Sequence, residues 1–108
     1  MKIDINDIDN KLARIIKQFS PFGPNNLPPL FMSTSLVDNG YGRVIGADKS
    51  HLRANIKKSR GSISAIGFGM GNYYDKIKGF QQFDICYSVV ENEWNGRKEL
   101  QLVLSDIK

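Results

Sequence analysis

The chain has 108 residues, 41% hydrophobic and 24% charged, with formal net charge +4, one cysteine and one histidine. One domain is the natural count, able to bury roughly 60–70% of its unfolded surface. Cys86 alone excludes an internal disulfide and a cysteine zinc cluster, and His51 alone excludes a His-His metal pair. No run approaches the ~18 apolar residues that span a bilayer, and the N-terminus lacks a signal-type apolar region; a soluble, cytoplasmic, membrane-free protein is expected.

Asp7 to Ser20 place Ile8, Leu12, Ile15, Ile16 and Phe19 on one stripe, with Lys11, Arg14 and Lys17 opposite. That spacing predicts an amphipathic helix, capped by Asp7 or Asp9 and stopped at Ser20-Pro21. Asp4, Asn6, Asp7 and Asp9 lack the glycine and distal glutamate of a calcium loop, so they read as an acidic helix start. All four prolines then fall within Pro21 to Pro29, predicting a stiff extended connector. The expected organisation is a helical lead-in over 1–20, a connector over 21–29 and a β domain over 30–108.

After Pro29 the apolar period changes from 3.6 to 2. Leu30 to Val37 reads as a first strand, bent at Gly40-Tyr41-Gly42 before Arg43-Val44-Ile45. Ser50 to Lys58 is the clearest: Leu52, Ala54 and Ile56 face one way, and His51, Arg53, Asn55 and Lys57 the other. Ile63 to Phe68 follows, then a short helix or turn over Asn72 to Lys78. Gly67-Phe68-Gly69-Met70-Gly71 lacks phosphate-loop spacing and reads as a tightly packed crossing. Phe83 to Val90 is the next strand, with Cys86 expected as a small core residue. Asn95-Gly96 signals a hairpin into Glu99 to Ile107. Five strands with a short helix between the third and fourth is the order of an OB-fold, an all-β, five-stranded Greek-key barrel that binds oligonucleotides on its second and third strands.

Charge singles out the same strands. Arg43, Lys49, Arg53, Lys57, Lys58 and Arg60 against Asp48 give this segment +5, so the remainder of the +4 chain carries −1. A basic stripe on a sheet is the footprint of a phosphate-backbone binder, although a charge run is also what a solvated face looks like. The candidate nucleic-acid residues are Arg53, Asn55 and Lys57, with Arg43, Lys58 and Arg60 flanking them. His51 either stacks on a base or holds the strand end. Trp94, at the tip of the hairpin, either stacks on a base or folds back onto protein. Arg97 and Lys98 have Glu91, Glu93 and Glu99 as candidate cross-strand partners.

Several segments in order then resemble the domain that follows the catalytic core in the RecJ family of bacterial single-strand-specific DNA exonucleases. They are Pro21-Phe22-Gly23-Pro24-Asn25-Asn26 with Pro28-Pro29-Leu30-Phe31, Gly46, His51-Leu52-Arg53, Ala65-Ile66-Gly67-Phe68-Gly69, Asn92-Glu93-Trp94-Asn95-Gly96, Leu100-Gln101-Leu102 and Asp106. Leu27, intervening before Pro28, departs from the family pattern. The resemblance implies a parent enzyme that uses manganese or magnesium to degrade single-stranded DNA from its 5′ end in repair and recombination. It implies that this segment holds no metal, cofactor or catalytic residue. Its implied partners are single-stranded DNA, the catalytic domains of the parent chain and single-strand-binding protein. The competing reading is an intramolecular scaffold or protein-docking domain whose basic stripe meets an acidic segment.

Overall fold

The computed structural model describes residues 1–18 and 28–108; Phe19, Phe22 and most of the proline connector lie outside the described residues, as does the side chain of Trp94. Six strands form one sheet: β1 (Phe31–Leu36), β2 (Arg43–Ile45), β3 (His51–Lys57), β4 (Ser62–Gly67), β5 (Phe83–Trp94) and β6 (Arg97–Ile107). Their order is β1-β5-β6-β4-β3-β2, antiparallel except for β4 beside β6. This is an OB-like fold. The expected five strands become six because the first is bent, and its two halves pair separately.

Two local devices make the bend. The β1–β5 register slips between Ser33 and Leu36, and Ser35 adopts φ 58° while its N–H donates to Asp84 Oδ1 at 2.9 Å. A bulge of this kind kinks and over-twists a strand, and a left-handed non-glycine residue persists only where its surroundings impose it. Beyond the kink, Lys57 N–H donates to Val37 O and Asn39 N–H to Asn55 O, both at 2.9 Å. Residues 31–45 therefore border β5 at their start and β3 at their end.

Asp38 fastens the second half. It is 4% exposed, and its carboxylate accepts from Gly40 and Gly42 N–H through Oδ2 and from Asn55 N–H through Oδ1, at 2.7 to 2.9 Å. A Cβ on Gly42 would lie 2.6 Å from Asp38 Oδ1, so any side chain there must push the carboxylate aside.

The alternation expected on β3 is observed: Leu52, Ala54 and Ile56 are buried, joined by Ile63, Ala65, Ile85, Tyr87, Leu102, Leu104 and Ile107. Cys86 departs from expectation. It is half-buried, because Ile85 and Tyr87 take the inward positions on either side of it. The 3-10 segment Gly71–Lys76 occupies the place of the expected short helix. β5 runs four residues past Val90, and Asn95 and Gly96, at φ 48° and 81°, make a two-residue turn into β6.

The N-terminal segment belongs to the same core. Helix α1 spans Asn10–Lys17, shorter than the apolar stripe predicted. Asp9 is its cap, accepting from Leu12 N–H at 2.9 Å, and a separate 3-10 turn covers Ile5–Asp7. Ile5, Ile8 and Ile16 join the main hydrophobic cluster, whereas Ile15 is exposed. Ile3 N–H donates to Met32 O and Met32 N–H to Met1 O, adding the first residues to β1 in parallel. Ser33 Oγ donates to Ile3 O at 2.7 Å and pairs with the hydroxyl of fully buried Tyr87 at 2.8 Å. No described helix is long and apolar enough to cross a membrane.

Two outcomes are expected. Asp38→Ala orphans three backbone donors, so denaturant unfolding should show a loss of about 3 kcal/mol, and Gly42→Ala should cost about 1–3 kcal/mol by crowding the same carboxylate. Burial raises the Tyr87 pKa above its ordinary 10.0. The folded state thus retains the phenol proton that the unfolded chain releases. The stability this contributes is complete below about pH 10 and is lost as pH rises further. Unfolding midpoints followed from pH 8 to 11 should therefore fall more steeply in the wild type than in Tyr87→Phe.

Candidate nucleic-acid interface

The outer face of β3 and its neighbours is organised in rungs set by strand register. At one end Ile45 faces His51 across β2–β3. The next rung runs Arg43, Arg53, Ile66 and Val103, and the one after it Asn55, Ser64, Gln101 and Val90. Lys57 opposite Ser62 closes the series.

Arg43 and Arg53 stand directly opposite each other, an arrangement in which like charges repel. Among the described residues the ion pairs are Lys17–Glu91 and Lys78–Asp75, so neither arginine has a carboxylate partner, and neither do Lys57 or Arg60. The Nε of Arg53 is buried with no hydrogen-bond partner. A buried cationic donor left unmatched costs free energy that an incoming anion restores. Arg53 lines a groove with Asn55, Lys58, Ser64 and Leu100, in which Asp9 and Glu99 are the acidic members. The groove continues past Ser64 to Asn92 and Gln101. There Asn92 donates to Gln101 Oε1 at 2.7 Å and Gln101 to Ser64 Oγ at 3.2 Å, a polar ladder across three strands.

His51 is held rather than free. Its Nδ1 accepts from Gly69 N–H at 2.9 Å, which puts the proton of the neutral ring on Nε2. The ring stands edge-on to Phe68, centroids 5.6 Å apart. Asp48 orders the preceding loop, its carboxyl held below its ordinary range by hydrogen bonds from the Ser50 side chain and backbone. Lys58 is committed locally: its amine donates to Ile8 O at 2.8 Å and ties the N-terminal segment to the β3–β4 turn. Arg60 is exposed in that turn, apart from the rungs.

The hairpin has a different electrostatic arrangement from the one its sequence suggests. Glu93 does face Lys98 in register, but Glu91 bonds Lys17 of α1 at 2.7 Å. That hydrogen bond, aided by the lysine charge, holds the Glu91 carboxyl below its ordinary range. Trp94 pairs with Arg97 at the last rung before the turn.

The structure thus brings Arg43, Arg53, Asn55, Lys57 and His51 onto one face and leaves Arg60 in a turn. It adds members that the sequence reading did not single out: Asn92, Gln101, Ser64 and Phe68. Phe68 was accessible to parity alone, because Ser62, Ser64 and Ile66 take the outward positions of β4 and Phe68 is the next of that set. Among the described residues no group of three His, Cys, Asp or Glu side chains converges.

Comparison with known proteins agrees with this architecture. The family described as the RecJ OB domain matches residues 1–106. The single-stranded-DNA-specific exonuclease RecJ of Bacillus subtilis is 29% identical over 102 residues, which cover 94% of this chain and 13% of that protein. The crystal structure of Thermus thermophilus RecJ in complex with Mn2+ superposes with TM-score 0.64 at 18% identity, over 91% of this chain and 13% of that one. Its complex with Mg2+ gives 0.61 at 18% identity, over 91% and 14%. The chain therefore spans about an eighth of these relatives' length, and it belongs to the RecJ OB domain family.

Proposed function

We propose that this domain binds single-stranded DNA along the rungs of β3, β4 and β6, as the non-catalytic grip of a larger RecJ-like exonuclease. The observation that carries the reading is the facing pair Arg43 and Arg53, neither in an ion pair, with Arg53 lining a polar groove. A phosphate seated there relieves the repulsion between the guanidiniums. Asn55, Ser64 and Gln101 offer neutral donors and acceptors that follow a backbone without demanding a sequence, and Lys57 extends the cationic line.

In the parent enzyme, a core using manganese or magnesium would hydrolyse the strand from its 5′ end, while this face holds the strand outside the reaction centre. Repair and recombination in the cytoplasm are the setting that such an activity implies, and single-strand-binding protein is the implied partner on the substrate. The metal chemistry belongs to the rest of the parent chain. This domain's own residues contribute position and charge.

A few phosphate contacts predict a log–log salt slope of about −2 to −3 for single-strand binding. A fluorescent single-stranded oligonucleotide titrated with the 108-residue chain at several salt concentrations should show this slope. Arg53→Ala/Lys57→Ala should bind more weakly and lower the slope by about 1.4, two contacts at about 0.7 each. Binding that is absent in the wild type, or unchanged by the double substitution while both proteins remain folded, would move the basic face to the scaffold or docking role.

A further inference from the structure

We infer that Phe68 and His51 form a nucleobase-binding site at one end of the β3–β4 face, with Phe68 as stacking platform and His51 as its positioning residue. The inference rests on the single-strand reading above and gives the bases, rather than the phosphates, a place to bind. Phe68 is 63% exposed, so its ring is presented to solvent and not spent on the core. A lone exposed aromatic needs no explanation by itself. Here three further features converge on it.

First, the turn that carries Phe68 is rigid. A Cβ on Gly67 would meet Met70 Sδ at 2.8 Å, and one on Gly71 would meet Lys49 O at 2.6 Å. Met70 N–H donates to Gly67 O and Gly71 N–H to Ser50 O, at 3.2 and 2.9 Å. The backbone on both sides is closely packed and hydrogen-bonded, an arrangement that favours a preorganised ring and lowers the ordering cost of a ligand.

Second, His51 positions the ring. The Gly69 N–H bond fixes the imidazole, which packs nearly perpendicular to the Phe68 ring with centroids 5.6 Å apart. Among the described residues, nothing accepts from His51 Nε2, so a donor stands beside the platform.

Third, the site is continuous with the phosphate line. His51 is the next outward residue on β3 from Arg53, and Leu52 pairs with Gly67 immediately before Phe68. A strand held by Arg43 and Arg53 has a base within reach of the ring. Every base has a π-face, so the ligand class is any unstacked nucleobase of a single strand.

The test is a two-by-two cycle of protein and DNA at one salt concentration. Wild type and Phe68→Ala are titrated with a single-stranded oligonucleotide and with the same oligonucleotide made abasic throughout. Stacking predicts that wild type loses roughly 5- to 100-fold in affinity on the abasic strand. Phe68→Ala should lose a similar factor on the base-bearing strand and bind the two strands equally, with its salt slope unchanged. Phe68→Trp should restore the preference for bases, and thermal unfolding should show all variants folded, as befits an exposed position. The inference is overturned if wild type binds with the expected salt slope but ignores the bases. It is overturned equally if Phe68→Ala weakens both strands alike. A wild type that binds neither strand overturns the single-strand reading itself, and this site with it.

Discussion

The Asp38 carboxylate holds the second half of the bent strand in place. By collecting three backbone N–H groups it locks the segment after β1 against β3, so one stretch of chain serves both ends of the sheet. The outward rungs inherit their order from that clamp. Asn55 supplies one of the three donors, so the strand bearing the basic face is fixed at its middle by the interaction that shapes the fold. Displacing that strand by one residue would turn His51, Arg53, Asn55 and Lys57 inward.

Within this frame, stability and binding make different demands on neighbouring positions. Lys58 gives its amine to a carbonyl, and Glu91 and Lys17 satisfy each other, which joins α1 to the sheet. Arg43 and Arg53 do neither. Glu99 lines the same groove as Arg53 but forms no ion pair with either arginine. The face is thus electrostatically incomplete where the groove runs, and complete where the N-terminal segment docks.

Much of this was legible from local patterns. Strict alternation identified β3 and its polar face, because residues on a pleated strand separate by parity alone. Asn95-Gly96 identified the hairpin, because both residues tolerate positive φ. What escaped depends on partners distant in sequence. Pairing of Met1 to Ile3 with Met32, and the burial of Ser33 against Tyr87, join segments that no window compares. Cys86 looked like a core residue by type, yet register gave the interior to its neighbours. Phe68 followed the outward parity of β4 but lay among glycines, whose close packing was the more obvious signal. Of the two candidate caps, Asp9 takes the role, so the helix starts at Asn10 rather than at Asp7.

The bent first strand also orders the events by which the chain can reach this structure. β3 and β4 are joined by a short turn and can zip together from local information, as can β5 and β6 across Asn95-Gly96. Phe31 to Leu36 cannot do so, because their ladder partners begin at Phe83. Apart from the contact of Met32 with Met1 and Ile3, those residues wait for partners more than 45 positions away. Closing so long a loop is entropically costly before any contact rewards it. The half of the sheet that carries the arginines is thus built from nearby segments, its Asp38 clamp included, whereas the edge formed by β1 and β5 joins distant ones.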